Sequence, residues 1–438
     1  MADDKPGLLK VDHFEFDKSQ PYYRLLGNNV ILLRRALRQK NVVISFFPER
    51  NDKKAHWVAR GTNKVIYFRH TMTASTLRFR GITNNKHRTK TILREAGVRV
   101  PSGVMLERES HEQAMSWFDE LKSKKAVVKP IIGSGGEGIT SAIQSRERFR
   151  EAYASVASRK VVLEEHIDGD DHRILVLGGR VIAAMRRWPA HVTGDGEKNI
   201  EQLVQEKNTQ RKKNPYDYRH LLEINAKAHE VLLTQGLTPE SVPERGRKAF
   251  LQTVANIGAG GDGEDMTSLI HSDFISIAEK CAAAFDGIEC MGVDLIAKDI
   301  SRPAAEQSHA VIEINANCDI PIHHWPAKGQ PLDVASKIAD YYFPDDAKDS
   351  SRSIRAEIRG RVKNVGYLRW LSRQALLHGI NGYCRNIGDD AVELVAEGAN
   401  NAVESLLSLC ASGPEKSRIR SVNFEPAPHD NFTTFRIL

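Results

Sequence analysis

The segment AVVKPIIGSGGEGIT, residues 126–140, gives the strongest indication of the fold, because an apolar strand runs directly into a glycine-rich loop. The strand ends near Lys129, and the small residues of the loop follow within a few positions: Gly133, Ser134, Gly135, Gly136 and Gly138. Glycines allow positive φ angles and a close approach to polyphosphate, and successive backbone N–H groups can then face the anion. The pattern is neither GxxxxGK[ST] nor GxGxxG. The segment by itself is therefore either a phosphate-binding loop or a flexible hairpin tip.

A second group of polar residues lies within two apolar strands further along the chain. Asp294 is part of CMGVDLIAKDI, whereas Glu313 and Asn315 are part of HAVIEINAN. Residues two apart on a strand share a face, and pairing of the two strands as a hairpin would bring Asp294 to that face. Three oxygen ligands suit Mg²⁺, which keeps waters and takes further oxygens from phosphates. The alternative is a solvated hairpin face.

A third group lies in LEEHIDGDDHR, residues 163–173. Glu164 ends an apolar strand, and the turn DGDD brings Asp171 back toward it. Carboxylates at such a bend can accept hydrogen bonds from the amino group of adenine and the hydroxyls of ribose. Taken alone, the motif is an ordinary turn.

The order of elements predicts a mixed α/β and α+β chain. Residues 1–80 alternate helix and strand as a small α/β region, residues 81–345 form a larger domain, and residues 346–353 are a polar linker. A helix at 84–97 is predicted to be capped by Asn85 and ended by Gly97. Residues 189–265 are interpreted as loop-rich, with one helix near 221–236. Residues 354–438 follow the order βαββαβ of a ferredoxin-like unit.

Composition narrows the function classes. The chain has 438 residues and a formal net charge of +7 from 63 basic and 56 acidic residues, a mild excess that fits small anionic substrates. Basic residues are not interleaved with aromatics in a nucleic-acid groove, and no apolar run approaches a membrane span. The five scattered cysteines predict reduced thiols, and the N-terminus lacks a signal-peptide pattern. We therefore expect a cytoplasmic protein without nucleic-acid or membrane partners.

Together these segments resemble the ATP-grasp ligases, with the ATP-grasp region of cyanophycin synthetases and glutathione-forming ligases as the nearest pattern. The resemblance runs in register from NNKHRTKTILREAGVRVPSG to IEINANCDIPIHHWPAKGQP and implies an ATP-grasp fold over residues 81–345. It implies that Lys86 and Lys129 hold the ATP phosphates beneath the loop 133–138, and that Glu164 and Asp171 hold adenine and ribose. It further implies a metal site for two Mg²⁺ ions, with these ligands: Asp294, Glu313 and Asn315.

The resemblance also implies a reaction and a class of substrate. A carboxylate attacks the γ-phosphate of ATP to give an acyl phosphate and ADP, and an amine then displaces phosphate to form an amide. The candidates for contacts to the carboxylate and the acyl phosphate are Arg173, Arg187 and His191. His323 corresponds to a family histidine near the site, although a packed histidine is an equal alternative. Expected substrates are amino acids or short peptides, and ligases of this type are often homo-oligomers.

The match departs from the family pattern at one position. Gln252, in FLQTVANIGAGG, replaces an arginine of the resembling proteins. The loss of a cation weakens the grip on an acidic group, so a cyanophycin-like substrate is in doubt.

Residues 354–438 resemble acylphosphatase, through GRVKNVGYLRW at 360–370 and CRNIGDD further on. In that family, loop N–H groups and one arginine hold a phosphate, and an asparagine, here Asn386, orients the attacking water. The arginine position is occupied by Leu368, and Arg369 follows it. Either the domain has lost hydrolysis, or Arg369 or Lys363 substitutes for the missing arginine.

Three functions follow from these observations. The leading hypothesis is an ATP-dependent carboxylate–amine ligase. The second is an acyl-phosphate hydrolase with a regulatory ATP-binding half. The third is a non-catalytic ATP sensor whose C-terminal unit mediates interactions.

Overall fold

The computed structural model describes residues 28–40, 42–47, 56–131, 138–346 and 350–438. The described chain divides into two compact units: the first is formed by the segments up to Ala74 and from Asp333 onward, and the second by Ser75–Leu332. This division differs from the domain bounds that the sequence suggests, which stay a prediction. Within the described ranges, no helix is long and apolar enough to cross a membrane.

The N-terminal segment of the first unit consists of one helix and a small antiparallel sheet. Its elements are α1 (Asn28–Arg38), β1 (Val43–Phe47), β2 (His56–Arg60), β3 (Val65–Arg69) and β4 (Met72–Thr73), with the strands in sequential order. The periodic run NNVILLRRALRQKN predicts this helix, and the apolar runs VVISFF and KVIYF predict the strands β1 and β3, whereas β2 is not predicted. Trp57 and Phe68 stack across β2 and β3 with ring centroids 4.2 Å apart.

The second unit begins with helices and a four-stranded antiparallel sheet. The elements are α2 (Ala74–Thr83), α3 (Lys86–Glu95), β5 (Gly103–Glu107), α4 (His111–Glu120), β6 (Ala126–Pro130), β7 (Thr140–Ile143), α5 (Arg146–Ser155) and β8 (Lys160–Glu165). The sheet order is β5-β8-β6-β7. The predicted cap of α3 is confirmed, because Asn85 accepts a hydrogen bond from the backbone N–H of Arg88. Gly97 ends the helix with a φ of +69°, a conformation that favours glycine.

The remaining elements of this unit form the sheet that carries most of the candidate site. They are β9 (Asp170–Leu177), β10 (Arg180–Trp188), β11 (His191–Thr193), α6 (Ile200–Arg211), α7 (Ala226–Leu233), β12 (Lys248–Phe250), β13 (Asp262–Asp265), α8 (Ser272–Ala284), β14 (Cys290–Ala297), β15 (His309–Asn315) and α9 (Pro321–His324). The five-stranded sheet has the order β13-β10-β9-β14-β15, and β11 pairs separately with β12. One face of the large sheet packs its core against α8, around Ile174, Val293 and Phe274.

Two sequence expectations for this unit have definite outcomes. The hairpin of β14 and β15 is confirmed, with Asp294 opposite Glu313. The helix predicted near 221–236 is confirmed as α7, but the expectation of a single helix within residues 189–265 is wrong, because α6 precedes it. The apolar residues of α6 lie only near its start, at Ile200, Leu203 and Val204, so its periodicity is weak. Its capping box between Asn199 and Gln202 was the signal that could have revealed it.

The C-terminal segment of the first unit confirms the predicted βαββαβ order. Its elements are α10 (Val334–Tyr342), β16 (Ser351–Arg361), α11 (Tyr367–Leu377), β17 (Asn381–Ile387), β18 (Ala391–Ala399), α12 (Asn400–Ser412), β19 (Arg418–Pro426) and β20 (Phe435–Ile437). The sheet order is β19-β16-β18-β17-β20. The added strand β20, which the sequence analysis did not predict, pairs in parallel with β17.

Candidate functional site

Two adjoining cavities lie within the unit of residues 75–332. Cavity A, about 340 Å³, is lined by Lys129, Glu164, Asp171 and Arg187, and by an apolar wall of Val127, Ile139, Ile167, Phe250, Ile296 and Ile312. Cavity B, about 530 Å³, is lined by Asp294, Glu313, Asn315, Arg173, Tyr216 and Asp319. Asp171, Arg187 and Ile312 line both cavities. An apolar slot therefore opens toward a highly charged chamber.

A buried group of two lysines and one carboxylate includes two residues that line cavity A, Lys129 and Glu164. Lys129 donates to Oε2 of Glu164 at 2.6 Å, and Lys90 donates to Oε1 of the same carboxylate. Burial opposes ionisation of Glu164, but the positive charges of Lys129 and Lys90 outweigh it and lower its pKa. Burial and the charge of Lys129 lower the pKa of Lys90 to about 7. Two lysine side chains thus share the single carboxylate of Glu164.

Helix α3 explains why Lys90 joins this group. Lys86 and Lys90 are one turn apart and both face inward with Thr89 and Leu93, since residues four apart share a helix face. Lys86 is directed to Glu313, with Nζ and Oε1 3.2 Å apart. Lys86 was expected at the site from the sequence, whereas Lys90 was not, although the spacing of four between them is visible there.

The acids of cavity B are held on neighbouring antiparallel strands. Asp294 of β14 lies opposite Glu313 of β15 on one side and opposite Arg173 of β9 on the other. The register shifts between Asp294 and Leu295, which leaves Ile312 as an extra residue in β15. Bulges of this kind are common beside active sites, where they redirect a side chain. Here the bulged residue lines both cavities.

Two arginines surround the carboxylate of Asp294. Arg173 and Arg187 each place an Nη2 atom 3.0 Å from its Oδ2 atom, and Arg187 also donates to Asp171. Burial opposes ionisation of Asp294, but Arg173 and Arg187 hold its pKa below the usual range. Burial raises the pKa of Asp171 to about 6. Cavity B therefore holds two guanidinium groups beside a firmly ionised acid.

A glycine makes room for one of these arginines. A Cβ atom at Gly292 would lie 2.8 Å from Cδ of Arg173, which is closer than ordinary van der Waals contact. The stretch GVDLI thus supplies both Asp294 and, at Gly292, the space that the side chain of Arg173 occupies.

The residues of cavity B fit a magnesium ion by their chemistry. Asp294, Glu313 and Asn315 supply two carboxylates and one amide, while a group of three or more histidines, cysteines or carboxylates suited to a metal is absent from the described ranges. Nδ2 of Asn315 is buried and has no hydrogen-bond partner among described residues. The two ends of an amide exchange by rotation, so its oxygen can occupy that position. Hard oxygen donors completed by waters and phosphate oxygens are the set that Mg²⁺ prefers.

Other predicted residues lie elsewhere. The loop residues Gly133, Ser134, Gly135 and Gly136 are outside the described ranges, and Gly138 follows them with a φ of +68°. His191 lines neither cavity; burial and the nearby charge of Lys207 lower its pKa to about 4. His323 is fully buried, and neither ring nitrogen has a hydrogen-bond partner among described residues.

Cavity B also contains a pair that the sequence analysis missed. The hydroxyl of Tyr216 donates to Oδ2 of Asp319, and burial raises the pKa of this carboxyl group. Asp319 lies four residues after Asn315, in NANCDI. Its position on an irregular segment after β15 gave no periodic signal.

A third cavity, cavity C, adjoins cavity B. It has a volume of about 390 Å³ and is lined by Arg219, His220, Glu223, Asn225 and Gln252. His220 and Gly258 line both cavities. The position at which the sequence departs from the family pattern, Gln252, therefore lies in a polar cavity next to the charged chamber.

In the C-terminal unit, the residues of the predicted anion loop point in different directions. Asn364 and Gly366 have φ angles of +61° and +77°, so the loop has the sharp turn expected before α11. Leu368 packs against the hydrophobic core, whereas Arg369 is exposed. Lys363 pairs with Asp389.

Asn386, the predicted water-orienting residue, is exposed on β17. Because Arg369 is exposed, it does not take the inward position that Leu368 occupies.

Comparison with known families defines two domains. Residues 83–192 match the ATP-grasp domain, and residues 354–437 match Acylphosphatase. The chain therefore carries an ATP-grasp domain joined to an acylphosphatase-family domain, as the sequence patterns predicted.

The more particular likeness is to two kinds of synthetase. A cyanophycin synthetase from Geminocystis herdmanii is 36% identical over 275 residues, 60% of this chain and 30% of that protein. A glutathione biosynthesis bifunctional protein GshAB from Clostridium perfringens is 37% identical over 272 residues, 60% of this chain and 34% of that protein. The crystal structure of a bifunctional glutathione synthetase from Pasteurella multocida superposes with a TM-score of 0.54 at 28% identity, covering 72% of this chain and 43% of that one. The chain spans about a third of the length of these curated relatives.

Proposed function

We propose that this protein is an ATP-dependent carboxylate–amine ligase that forms an amide or peptide bond on an amino acid or short peptide. One observation carries the proposal: an apolar slot lined by Lys129 and Glu164 adjoins a chamber lined by four carboxylates, the amide of Asn315 and two arginines. The first suits a nucleotide, and the second suits polyphosphate and a carboxylate. The relatives named as synthetases support the same class of reaction.

In this proposal the adenine of ATP lies in cavity A, against its apolar wall, and the phosphates extend toward Lys129. Lys86 enters on the resemblance, because it lines neither cavity and is paired with Glu313. The glycine-rich loop, residues 133–138, would cover the phosphates. Both oxygens of Glu164 accept hydrogen bonds from lysines. A contact between Glu164 and adenine therefore requires at least one ammonium group to leave the carboxylate for the phosphates.

Asp294, Glu313 and Asn315 would hold magnesium, with two ions as the resemblance implies. Bound there, magnesium supplies neutralisation of the phosphate charge. The side chains of the protein do the remaining electrostatic work. Arg173 and Arg187 stay protonated at any working pH, and they face the chamber where two anions must meet.

The reaction then has two steps. The substrate carboxylate attacks the γ-phosphorus of ATP, which breaks the bond to the bridging oxygen and releases ADP. An amine attacks the acyl carbon of the resulting acyl phosphate, loses a proton and expels phosphate, leaving an amide. Fixed cations that face developing negative charge lower such barriers because they need no reorganisation. His191 enters this proposal on the resemblance alone, because it lines neither cavity.

For the C-terminal domain we propose that hydrolysis of acyl phosphates has been lost. Leu368 fills an inward position, Arg369 is exposed, and Lys363 is paired with Asp389. A phosphate would therefore lack the planar, two-pronged grip that an arginine gives. The alternative, an active hydrolase, predicts that the full chain cleaves benzoyl phosphate and that Asn386→Ala abolishes the cleavage.

The ligase proposal is tested by ADP release. The full chain is incubated with Mg-ATP and with single amino acids, pairs of amino acids and short peptides, and products are identified by mass spectrometry. We expect ADP formation to depend on a carboxylate substrate. The product should have the mass of that carboxylic acid plus the amine, less one water. Lys129→Ala should abolish turnover, whereas Lys125→Ala, which removes a half-exposed lysine paired with Asp168, should retain it.

Two outcomes would count against the ligase. Tight binding of Mg-ATP without ADP release under any substrate pool would favour an ATP sensor. ADP release unchanged by Lys129→Ala would show that the turnover arises elsewhere.

A further inference from the structure

A separate polar cavity lies in the unit formed by the described part of residues 28–74 and by residues 333–438. This cavity, cavity D, has a volume of about 280 Å³, close to the lower end of the range for small-molecule sites. Its walls come from the end of α1, the turn between α11 and β17, the end of β18 and residues 431–433. It contains none of the residues assigned to the ligase, so the inference does not rest on the proposed function.

One wall of cavity D is basic. Arg35 and Arg38 lie in the last turn of α1, three residues apart, and both line the cavity. Arg38 is buried, and its Cδ atom would lie 3.7 Å from a Cβ atom placed at Gly379. Gly379 has a φ of +64°. Another residue there would be strained by this φ, whereas its Cβ would make only an ordinary van der Waals contact with the arginine.

The lining of cavity D also includes a carboxylate. Glu397 lies near the end of β18 and its side chain is 13% exposed. Its Oε1 atom is 3.1 Å from Nδ1 of His429. Its Oε2 atom is buried and has no hydrogen-bond partner among the described residues. A buried acceptor left without a partner is costly, and a donor supplied by a ligand would remove that cost.

The remaining polar groups add hydrogen bonds without adding charge. Burial lowers the pKa of His378 to about 3, and the charge of Arg38 acts in the same direction. His378 is therefore neutral at pH 7. Asn381 donates from Nδ2 to the carbonyl of Phe432 at 2.7 Å, which fixes the segment that forms the outer wall. The cavity is thus lined by two guanidinium groups and one carboxylate.

We propose that cavity D binds a free α-amino acid, with its carboxylate on Arg35 and Arg38 and its ammonium group on Glu397. A simple anion would contact only the two arginines, and a simple amine would contact only Glu397. An α-amino acid carries both charges two bonds apart and is small enough for a cavity of this size. No covalent step is involved.

The experiment measures binding to the full chain by isothermal titration calorimetry without ATP. Each of the twenty standard L-amino acids is titrated singly, and propionate, ethylamine and inorganic phosphate are titrated as probes that carry one kind of charge. We expect at least one amino acid to bind, and each single-charge probe to bind at least tenfold more weakly than it.

Two variants locate the binding. Glu397→Gln should weaken binding of the amino acid by roughly tenfold to a hundredfold, the usual effect of losing a hydrogen bond to a charged group. Ser351→Phe narrows the cavity from an exposed position without removing any charge, and it should weaken binding while the protein stays folded. Glu393→Gln is the matched control, because Glu393 lies on the same strand but pairs with Arg355 and Arg385 outside the cavity.

Three results would overturn the proposal. None of the amino acids binds; or phosphate or propionate binds as tightly as the best amino acid, which indicates an anion site; or affinity stays within twofold in both Glu397→Gln and Ser351→Phe. The last result would assign the binding to another part of the chain.

Discussion

Replacement of Glu164 by glutamine tests how the buried lysine pair of cavity A is stabilised. The change keeps the shape of the side chain and removes the one negative charge that both Lys90 and Lys129 contact. All three side chains are less than a tenth exposed, so water cannot replace the lost charge. Removal of one partner from a buried ion pair typically costs about 3–5 kcal/mol. We expect a loss of that order in the free energy of unfolding at pH 6.

The loss should shrink as the pH rises. The pKa of Lys90 is lowered to about 7 in the folded protein, against roughly 10.4 in an unfolded chain. Between these values the unfolded state binds more protons than the folded state, so stability rises with pH. Without Glu164 the pKa of Lys90 in the folded protein falls further, so the stability of the variant begins to rise with pH already below pH 7. In the pH range where Lys90 is neutral in the folded variant but still charged in the folded parent, the difference in the free energy of unfolding therefore shrinks by about 1.4 kcal/mol per pH unit.

The assay is urea unfolding followed by circular dichroism at pH 6, 7, 8 and 9. Glu165→Gln is the control, because Glu165 is the next residue and accepts from the backbone N–H of Ser102, a bond that glutamine can keep. We expect the control to stay within about 1 kcal/mol of the parent at every pH. A loss below about 1 kcal/mol for Glu164→Gln at pH 6, or a loss that does not change up to pH 9, would refute the reasoning.

Further changes test the chamber and the C-terminal domain. Asp294→Asn should abolish ADP release and lower stability by about 3 kcal/mol, because two buried guanidinium groups lose their carboxylate; Glu279→Gln, which alters a partly exposed ion pair, should leave both measurements nearly unchanged, and equal losses in the two variants would contradict this. Gly292→Ala should cost about 1–3 kcal/mol and reduce ADP release, since its Cβ would displace Arg173; a fully active, equally stable variant would show that the spacing is unimportant. The parent should not hydrolyse benzoyl phosphate, and Leu368→Arg should produce measurable hydrolysis; rapid hydrolysis by the parent would restore the hydrolase hypothesis.

The strand pairing in cavity B was predictable from sequence because strand geometry is local. Side chains alternate with a period of two, so Glu313 and Asn315 had to share a face, and two apolar strands with a short connection favour an antiparallel hairpin. The confirmed register then places Asp294 opposite Glu313. The bulge that brings Ile312 into both cavities had no such signal, because it depends on how β15 meets its neighbour.

The arrangement of charges was not predictable in the same way. From the sequence, Lys129 was expected to bind phosphate and Glu164 to bind adenine, but the folded chain pairs them directly. Two further pairs were not expected: Lys90 with Glu164, which lie 74 positions apart along the chain, and Tyr216 with Asp319, which lie 103 positions apart. Contacts at such separations depend on the packing of whole sheets.

The sequence by itself determined the features that short segments specify. These include the capped helix α3, the hairpin of β14 and β15, the βαββαβ order of the C-terminal unit, and the resemblance that its motifs carry. Each depends on hydrogen bonds and side-chain periodicity among near neighbours. The tertiary structure alone decided that Asp294 lies between two arginines, that Leu368 takes an inward position while Arg369 is exposed, and that two arginines and one carboxylate line cavity D. These features arise from packing and burial between distant segments, and burial sets both the energy of a charge and the neighbour that must balance it.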